Sequence, residues 1–133
     1  LTVNWFENSS ILKIIKLAAE QGFKLVITTD HGMVYVKKPS QVVGDRETST
    51  NIRYKTGKSL TYDEKDVWAI TNPEKLFLPK GNLSSKYIFA KNNIFLAYPK
   101  NYNHFVNYYK DTYQHGGISL EEIIIPISIL EPK

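Results

Sequence analysis

The chain has 133 residues, of which 42% are apolar and 23% are charged, a composition typical of one folded globular domain and not of a disordered segment. It contains no cysteine, which excludes a disulfide framework and thiolate metal sites and leads us to expect a reducing, cytoplasmic compartment. The net charge of +4 favours anionic partners such as phosphate esters, and no apolar run approaches the roughly 20 residues that span a bilayer, so we expect no membrane partner.

The N-terminal part of the chain predicts a helix followed by a strand. Apolar residues recur at the spacing of an amphipathic helix over residues 11–21, and Ser9 or Ser10 can cap its start. We expect its apolar stripe to lie in the core. Gly22 ends the helix, and the β-branched run over residues 23–29 predicts a buried strand. Together the two elements form half of a βαβ unit.

The rest of the chain predicts short strands and helices around polar loops. Strands are predicted over residues 33–37 (stopped by Pro39) and 123–130, with Pro126 inside the second. Residues 52–55 fit an edge strand or the border of a loop, and residues 66–70 fit a short strand or a turn. A brief helix starts at Asn72-Pro73, residues 87–90 and 94–98 form a hairpin about Asn92-Asn93, and a second helix covers residues 103–113. The predicted fold class is α/β, a mixed sheet with the helices over residues 11–21 and 103–113 packed on it.

The first candidate site follows the predicted N-terminal strand, at Thr28-Thr29-Asp30-His31-Gly32. Ligands of α/β proteins gather at the carboxyl ends of strands, and Asp and His offer the oxygen and nitrogen donors that Zn²⁺ or Mn²⁺ accepts. Gly32 has no Cβ, so the backbone can turn and let both side chains approach one point. The alternative is a strand that ends in a polar turn. It predicts that Asp30→Asn changes neither metal content nor melting temperature.

The second candidate site is His115-Gly116-Gly117, an imidazole before two glycines and an apolar run. Ser119 and Glu122 follow at the spacing of a capping box. We therefore expect Glu121 and Glu122 to be structural and not general bases.

A basic segment lies between the two histidine motifs. Arg46, Arg53, Lys55 and Lys58 fall within a short polar window. Arginine binds phosphate oxygens with two hydrogen bonds and lysine acts as a point charge, so this segment is the candidate phosphate-facing surface. The alternative is an ordinary solvated loop.

Four motifs, in this order and spacing, carry a resemblance to a known family: Val26-Ile27-Thr28-Thr29-Asp30-His31-Gly32, Val43-Gly44-Asp45, Thr50-Asn51-Ile52-Arg53-Tyr54-Lys55 and His115-Gly116-Gly117-Ile118-Ser119-Leu120-Glu121-Glu122. The two histidine motifs resemble the alkaline phosphatase superfamily. The whole set resembles the PglZ domain, most closely the C-terminal PglZ domain of PorX-type two-component response regulators.

The resemblance implies a zinc-dependent phosphodiesterase that acts on phosphodiester or nucleotide substrates through two metal ions. Asp30 and His31 then correspond to ligands of the ion beside the nucleophile, and His115 to a ligand of the other ion. Arg46, Arg53 and Lys55 become the substrate-binding residues. The resemblance also implies that the three ligands lie within a few ångströms of one another.

In the family, the nucleophile and the remaining ligands come before the strand that ends in Asp-His. The chain's single methionine is Met33. We therefore expect residues 1–133 to be one domain, the C-terminal part of a PglZ domain, without catalytic nucleophile and inactive alone. An unpaired strand edge would favour a homodimer.

A different class of function remains open from the sequence. The domain could be a non-catalytic signalling module that docks a protein partner through residues 46–58. Loss of partner binding in an Arg53→Glu variant is the test that the sequence suggests.

Overall fold

The computed structural model describes residues 2–81 and 84–132. Their elements fall into two compact units, one formed by the chain up to Asp30 together with the segment from Ile125 onward, the other by His31–Ile124. In the described residues, no helix is long and apolar enough to cross a bilayer.

The first unit contains two helices and one pair of strands. Helices α1 and α2 cover Thr2–Glu7 and Ser10–Glu20, and α2 begins where the Ser9 hydroxyl accepts a hydrogen bond from the Leu12 N–H at 3.3 Å. Strand β1, Leu25–Thr28, pairs antiparallel with the last strand, β9, Ile127–Leu130. The predicted helix and the strand after it are therefore confirmed.

The predicted burial of these elements is wrong. Ile14 and Leu17 on α2 are 59% and 54% exposed, and Val26 on β1 is 59% exposed. An apolar stripe identifies which face of a helix avoids water, but it does not supply the surface that covers that face. Among the described residues this stripe is covered only in part, since Ile15 and Ala18 are half-buried while Ile14 is exposed.

The second unit is built from small sheets, whose strands are β2 (Val34–Val36), β3 (Lys38–Gln41), β4 (Tyr54–Gly57), β5 (Val67–Ile70), β6 (Lys86–Ala90), β7 (Ile94–Ala97) and β8 (Thr112–Gln114). Strand β2 pairs antiparallel with β8, β3 pairs parallel with β7, and β4, β6 and β5 form an antiparallel sheet in that order. The α/β class is confirmed, but the predicted single mixed sheet is several separate small ones.

Short helical segments connect these strands. They are a 3-10 turn at Pro73–Leu76, helix α3 at Tyr102–Tyr109 and helix α4 at Leu120–Ile123. The second predicted helix thus ends at Tyr109, because Asp111 takes a positive φ of 62° and residues 112–114 form β8. The last predicted strand begins only after Pro126, at Ile127.

Strand β7 lies at the centre of the core. Ile94 and Leu96 belong to one buried apolar cluster, and Phe95 and Ala97 belong to another. Alternate side chains of a strand point to opposite faces, so β7 is covered on both sides.

Two local predictions near β7 hold only in part. The turn about Asn92 forms, with a φ of 46° at Asn92 and a 3.0 Å hydrogen bond from the Ile94 N–H to the Lys91 carbonyl. The strands on either side do not pair as a hairpin, since β7 pairs with β3 instead. Pro39 lies inside β3 and does not stop a strand, as an edge strand tolerates a proline.

Candidate functional site

The imidazole rings of His31 and His115 are stacked. Their centroids are 3.7 Å apart and their planes differ by 12°. His31 lies three residues before β2 and His115 directly follows β8, and these strands pair antiparallel with Val34 opposite Gln114. The pairing of β2 with β8 therefore joins two histidines that are far apart in the sequence.

Gly32 allows the close approach of the two histidine motifs. Its N–H donates a 2.9 Å hydrogen bond to the carbonyl oxygen of Glu122. A Cβ at this position would overlap the carbonyl oxygen of Glu121 and lie 2.9 Å from that of Ile124. Gly32 is thus required for backbone contact with α4, in addition to the turn that the sequence predicts.

A buried ion pair holds the loop that follows His115. The Arg53 guanidinium makes two 2.9 Å hydrogen bonds to the Glu122 carboxylate, and the two side chains are 0% and 1% exposed. Arg53 also donates to the carbonyl of Ile94 on β7. The same carboxylate accepts hydrogen bonds from the N–H groups of Gly117 at 2.9 Å and Ser119 at 3.2 Å. The pair therefore fastens the His-Gly-Gly loop to the core.

The electrostatics of Glu122 follow from these contacts. Burial alone would raise the pKa of its carboxyl, but the hydrogen bonds from Arg53 and Gly117 outweigh burial and hold that pKa below its usual range. Glu122 is consequently a charged structural residue, as its capping-box spacing predicts.

The predicted role of Arg53 as a phosphate-facing residue is corrected by its burial. Its guanidinium donates to Glu122 and Ile94 and its side chain is fully buried, so it does not reach a substrate at the surface. The predicted 52–55 segment alternates as expected, but its two basic residues point inward: Arg53 and Lys55 are buried, and Tyr54 is not. Alternation identifies which residues share a face and not which face is buried.

Lys55 also lies inside the second unit. It is 1% exposed, and its Nζ lies 4.2 Å from the centroid of the Tyr98 ring. Burial lowers the pKa of the Lys55 ammonium to about 8. The structure therefore removes Lys55 from the predicted solvent-facing phosphate surface.

Arg46 remains on the surface, in a turn organised by its neighbour Asp45. The Asp45 carboxylate accepts hydrogen bonds from the N–H groups of Glu47 at 2.9 Å and of Lys58 and Ser59 at 3.2 Å. Lys58 pairs with Glu47 at 2.7 Å. Arg46 is exposed and forms no ion pair among the residues that the structure describes.

A family model described as "BREX system PglZ alkaline phosphatase-like domain" matches residues 7–129. The chain belongs to the PglZ family. The family has an alkaline phosphatase-like, phosphoesterase-type fold. Comparison with curated proteins gave no match.

This PglZ chain has the kinds of side chain that bind metal ions, but too few of them lie together to hold an ion. The His31 Nδ1–H donates to the Gly32 carbonyl at 2.9 Å, because a carbonyl oxygen only accepts. In the described ranges, no group of three or more His, Cys, Asp or Glu residues is arranged to hold an ion. Asp30 is the last residue of the N-terminal segment of the first unit, and its role as a metal ligand stays a prediction.

Proposed function

We propose that His31 and His115 are zinc ligands of a metal-dependent phosphodiesterase that acts on nucleotide-type phosphodiesters, in a two-component response regulator. The observation that carries the proposal is the stacking of the two imidazoles, which the fold builds from separate loops. Membership in an alkaline phosphatase-like family supports the reaction class.

The parallel arrangement of the rings favours two ions over one. An imidazole nitrogen binds a metal ion that lies in the plane of the ring. Two nearly parallel rings lie in two separate planes, so their nitrogens do not point at one shared ion. We therefore assign His31 to one ion and His115 to the other.

The residues of this chain would hold and orient the metal ligands. The Gly32 carbonyl fixes the tautomer of His31, and the Arg53–Glu122 pair positions the loop that bears His115. Asp30 is proposed as a second ligand of the His31 ion, from the resemblance. Arg46 is proposed to contact phosphate oxygens. When bound, the ions supply Lewis-acid activation of the nucleophile and stabilisation of the leaving oxygen.

Zinc content of the purified full-length natural protein tests the ligand assignment. After dialysis against micromolar zinc, we expect elemental analysis to find zinc in the wild type and a loss of it in the His31→Ala/His115→Ala double variant. The matched control is His104→Ala, which removes the third, exposed histidine, on α3, and should leave zinc content unchanged. Equal zinc in the wild type and the double variant would contradict the assignment.

A non-catalytic signalling module is the second candidate. Arg46, which is exposed and forms no ion pair among the described residues, offers such a module a charged docking contact. The Arg53→Glu test that the sequence suggests is unsuitable, because it would place a carboxylate in the buried ion pair with Glu122. Arg46→Glu changes an exposed residue instead. Loss of partner binding in that variant, in a metal-free full-length protein, would support this candidate.

A further inference from the structure

A small cavity in the second unit is walled mainly by apolar and aromatic side chains. Its volume is about 150 Å³. The residues that matter for its chemistry are Lys55, Leu96, Tyr98, Phe105 and Tyr109. Strands β4 and β7, the residue that follows β7 and helix α3 contribute these residues, and neither histidine of the stacked pair lines the cavity.

Lys55 is the one basic side chain of this cavity. Its only described polar contact is the face of the Tyr98 ring, and no carboxylate in the described part of the chain pairs with it. A ring face compensates a buried cation less well than a hydrogen-bonded anion does. The burial that lowers the pKa of Lys55 to about 8 is consistent with this incomplete compensation. Arg53, two residues earlier, is a buried cation whose charge is compensated by the Glu122 carboxylate.

We propose that this cavity binds a small monocarboxylate with an apolar tail. The carboxylate would pair with the Lys55 ammonium, and the tail would pack against Phe105 and Tyr109. A cavity of this size holds roughly one benzene molecule, and butyrate has a similar number of heavy atoms. A single cation within apolar walls favours a monoanion over a strongly hydrated phosphate dianion.

Titration of the full chain with sodium butyrate, followed by the NMR signals of the Lys55 side chain and the Tyr98 ring, tests the proposal. We expect saturable binding with a Kd of about a millimolar. Butyramide has the same shape without the charge and should bind at least about tenfold more weakly. This comparison uses wild-type protein throughout, so it does not depend on the folding of a variant.

Two variants then test whether butyrate binds at Lys55. Lys55→Met keeps an apolar side chain of similar length and should abolish the preference for butyrate over butyramide. Lys91→Met is the matched control, because the Lys91 ammonium also lies over an aromatic ring, that of Trp68 at 4.9 Å, outside the cavity. It should leave butyrate binding unchanged.

Three results would overturn the proposal: no saturable butyrate binding, equal affinity for butyramide, or inorganic phosphate binding to the cavity as tightly as butyrate. None of them bears on zinc content, so this proposal and the metal assignment fail independently.

Discussion

Arg53 and Lys55 are two residues apart and both carry a buried positive charge, but only Arg53 meets a carboxylate. Arg53 has a planar guanidinium that fits both oxygens of Glu122, whereas the Lys55 ammonium faces an aromatic ring. The two residues therefore affect stability in opposite ways. Arg53 is required to compensate a buried anion, and Lys55 carries a desolvation cost in its charged form.

The pH dependence of stability should report the cost at Lys55. Its pKa is lowered from 10.5 to about 8 in the folded state, so between these values the unfolded state binds more protons and stability rises with pH. Below pH 8 the cost is present in full. Lys55→Met should thus be more stable than wild type at pH 7, by about 1–3 kcal/mol.

Urea unfolding of both proteins at pH 7 and at pH 9.5 measures this difference. The advantage of the variant should shrink at pH 9.5. Burial raises the pKa of Tyr98, so its ionisation lowers stability only at pH values above this range. A difference between the two proteins that is the same at both pH values would refute the account of Lys55.

Breaking the buried ion pair from one side should be costly. Arg53→Met leaves the Glu122 carboxylate buried without its cation, and we expect a loss of about 3–5 kcal/mol in the free energy of unfolding. Adding Glu122→Gln removes the stranded charge and should recover about 1 kcal/mol or more. Arg46→Met, at an exposed arginine, is the control. A loss in Arg53→Met no larger than in the control would contradict the role of the pair.

At the scale of elements, contact between the Gly32 loop and α4 sets the geometry of the histidines. Gly32→Ala would push a methyl group into the Glu121 carbonyl oxygen, an atom of the backbone that cannot move by rotating a side chain. We expect a loss of about 2 kcal/mol or more in stability, by analogy with overpacked sites, and loss of the His31–His115 ring contact in NMR spectra.

Gly81→Ala is the matched substitution, because among the described residues a Cβ there meets only the Ser85 hydroxyl, at 3.7 Å. It should change stability by less than about 0.5 kcal/mol. If Gly32→Ala were tolerated as well as Gly81→Ala, the close approach would not be required.

Elements with local signals were predictable from the sequence, and their partners were not. Helix α2, its Ser9 cap and the turn at Asn92 all form as predicted. Each of them depends on residues that are close together in the sequence. The pairing of β3 with β7 joins segments far apart in sequence. It replaces the predicted hairpin, in which β7 would pair with its neighbour β6.

At the scale of the whole molecule, the candidate site follows the same rule: its local motifs were predictable from the sequence, and its long-range contacts were not. His31 and His115 each stand before glycine beside a strand, so the sequence alone identifies them as candidates, and the structure brings their rings together. The partner of Glu122 was not predictable, because the basic alternation around Arg53 fits an exposed strand equally well. Likewise, the exposure of α2 to water depends on which elements pack against the helix and not on the periodicity of its apolar residues.

Hydrolysis of a nitrophenyl phosphodiester by the zinc-loaded, full-length natural protein tests the central claim most directly. We expect release of nitrophenol by the wild type, a loss of at least about a hundredfold in His115→Ala because a metal ligand is removed, and unchanged activity in His104→Ala. Activity in His115→Ala equal to that of the wild type, or a wild type that binds zinc through both histidines and hydrolyses no phosphodiester, would contradict a phosphodiesterase centre built on the stacked histidines.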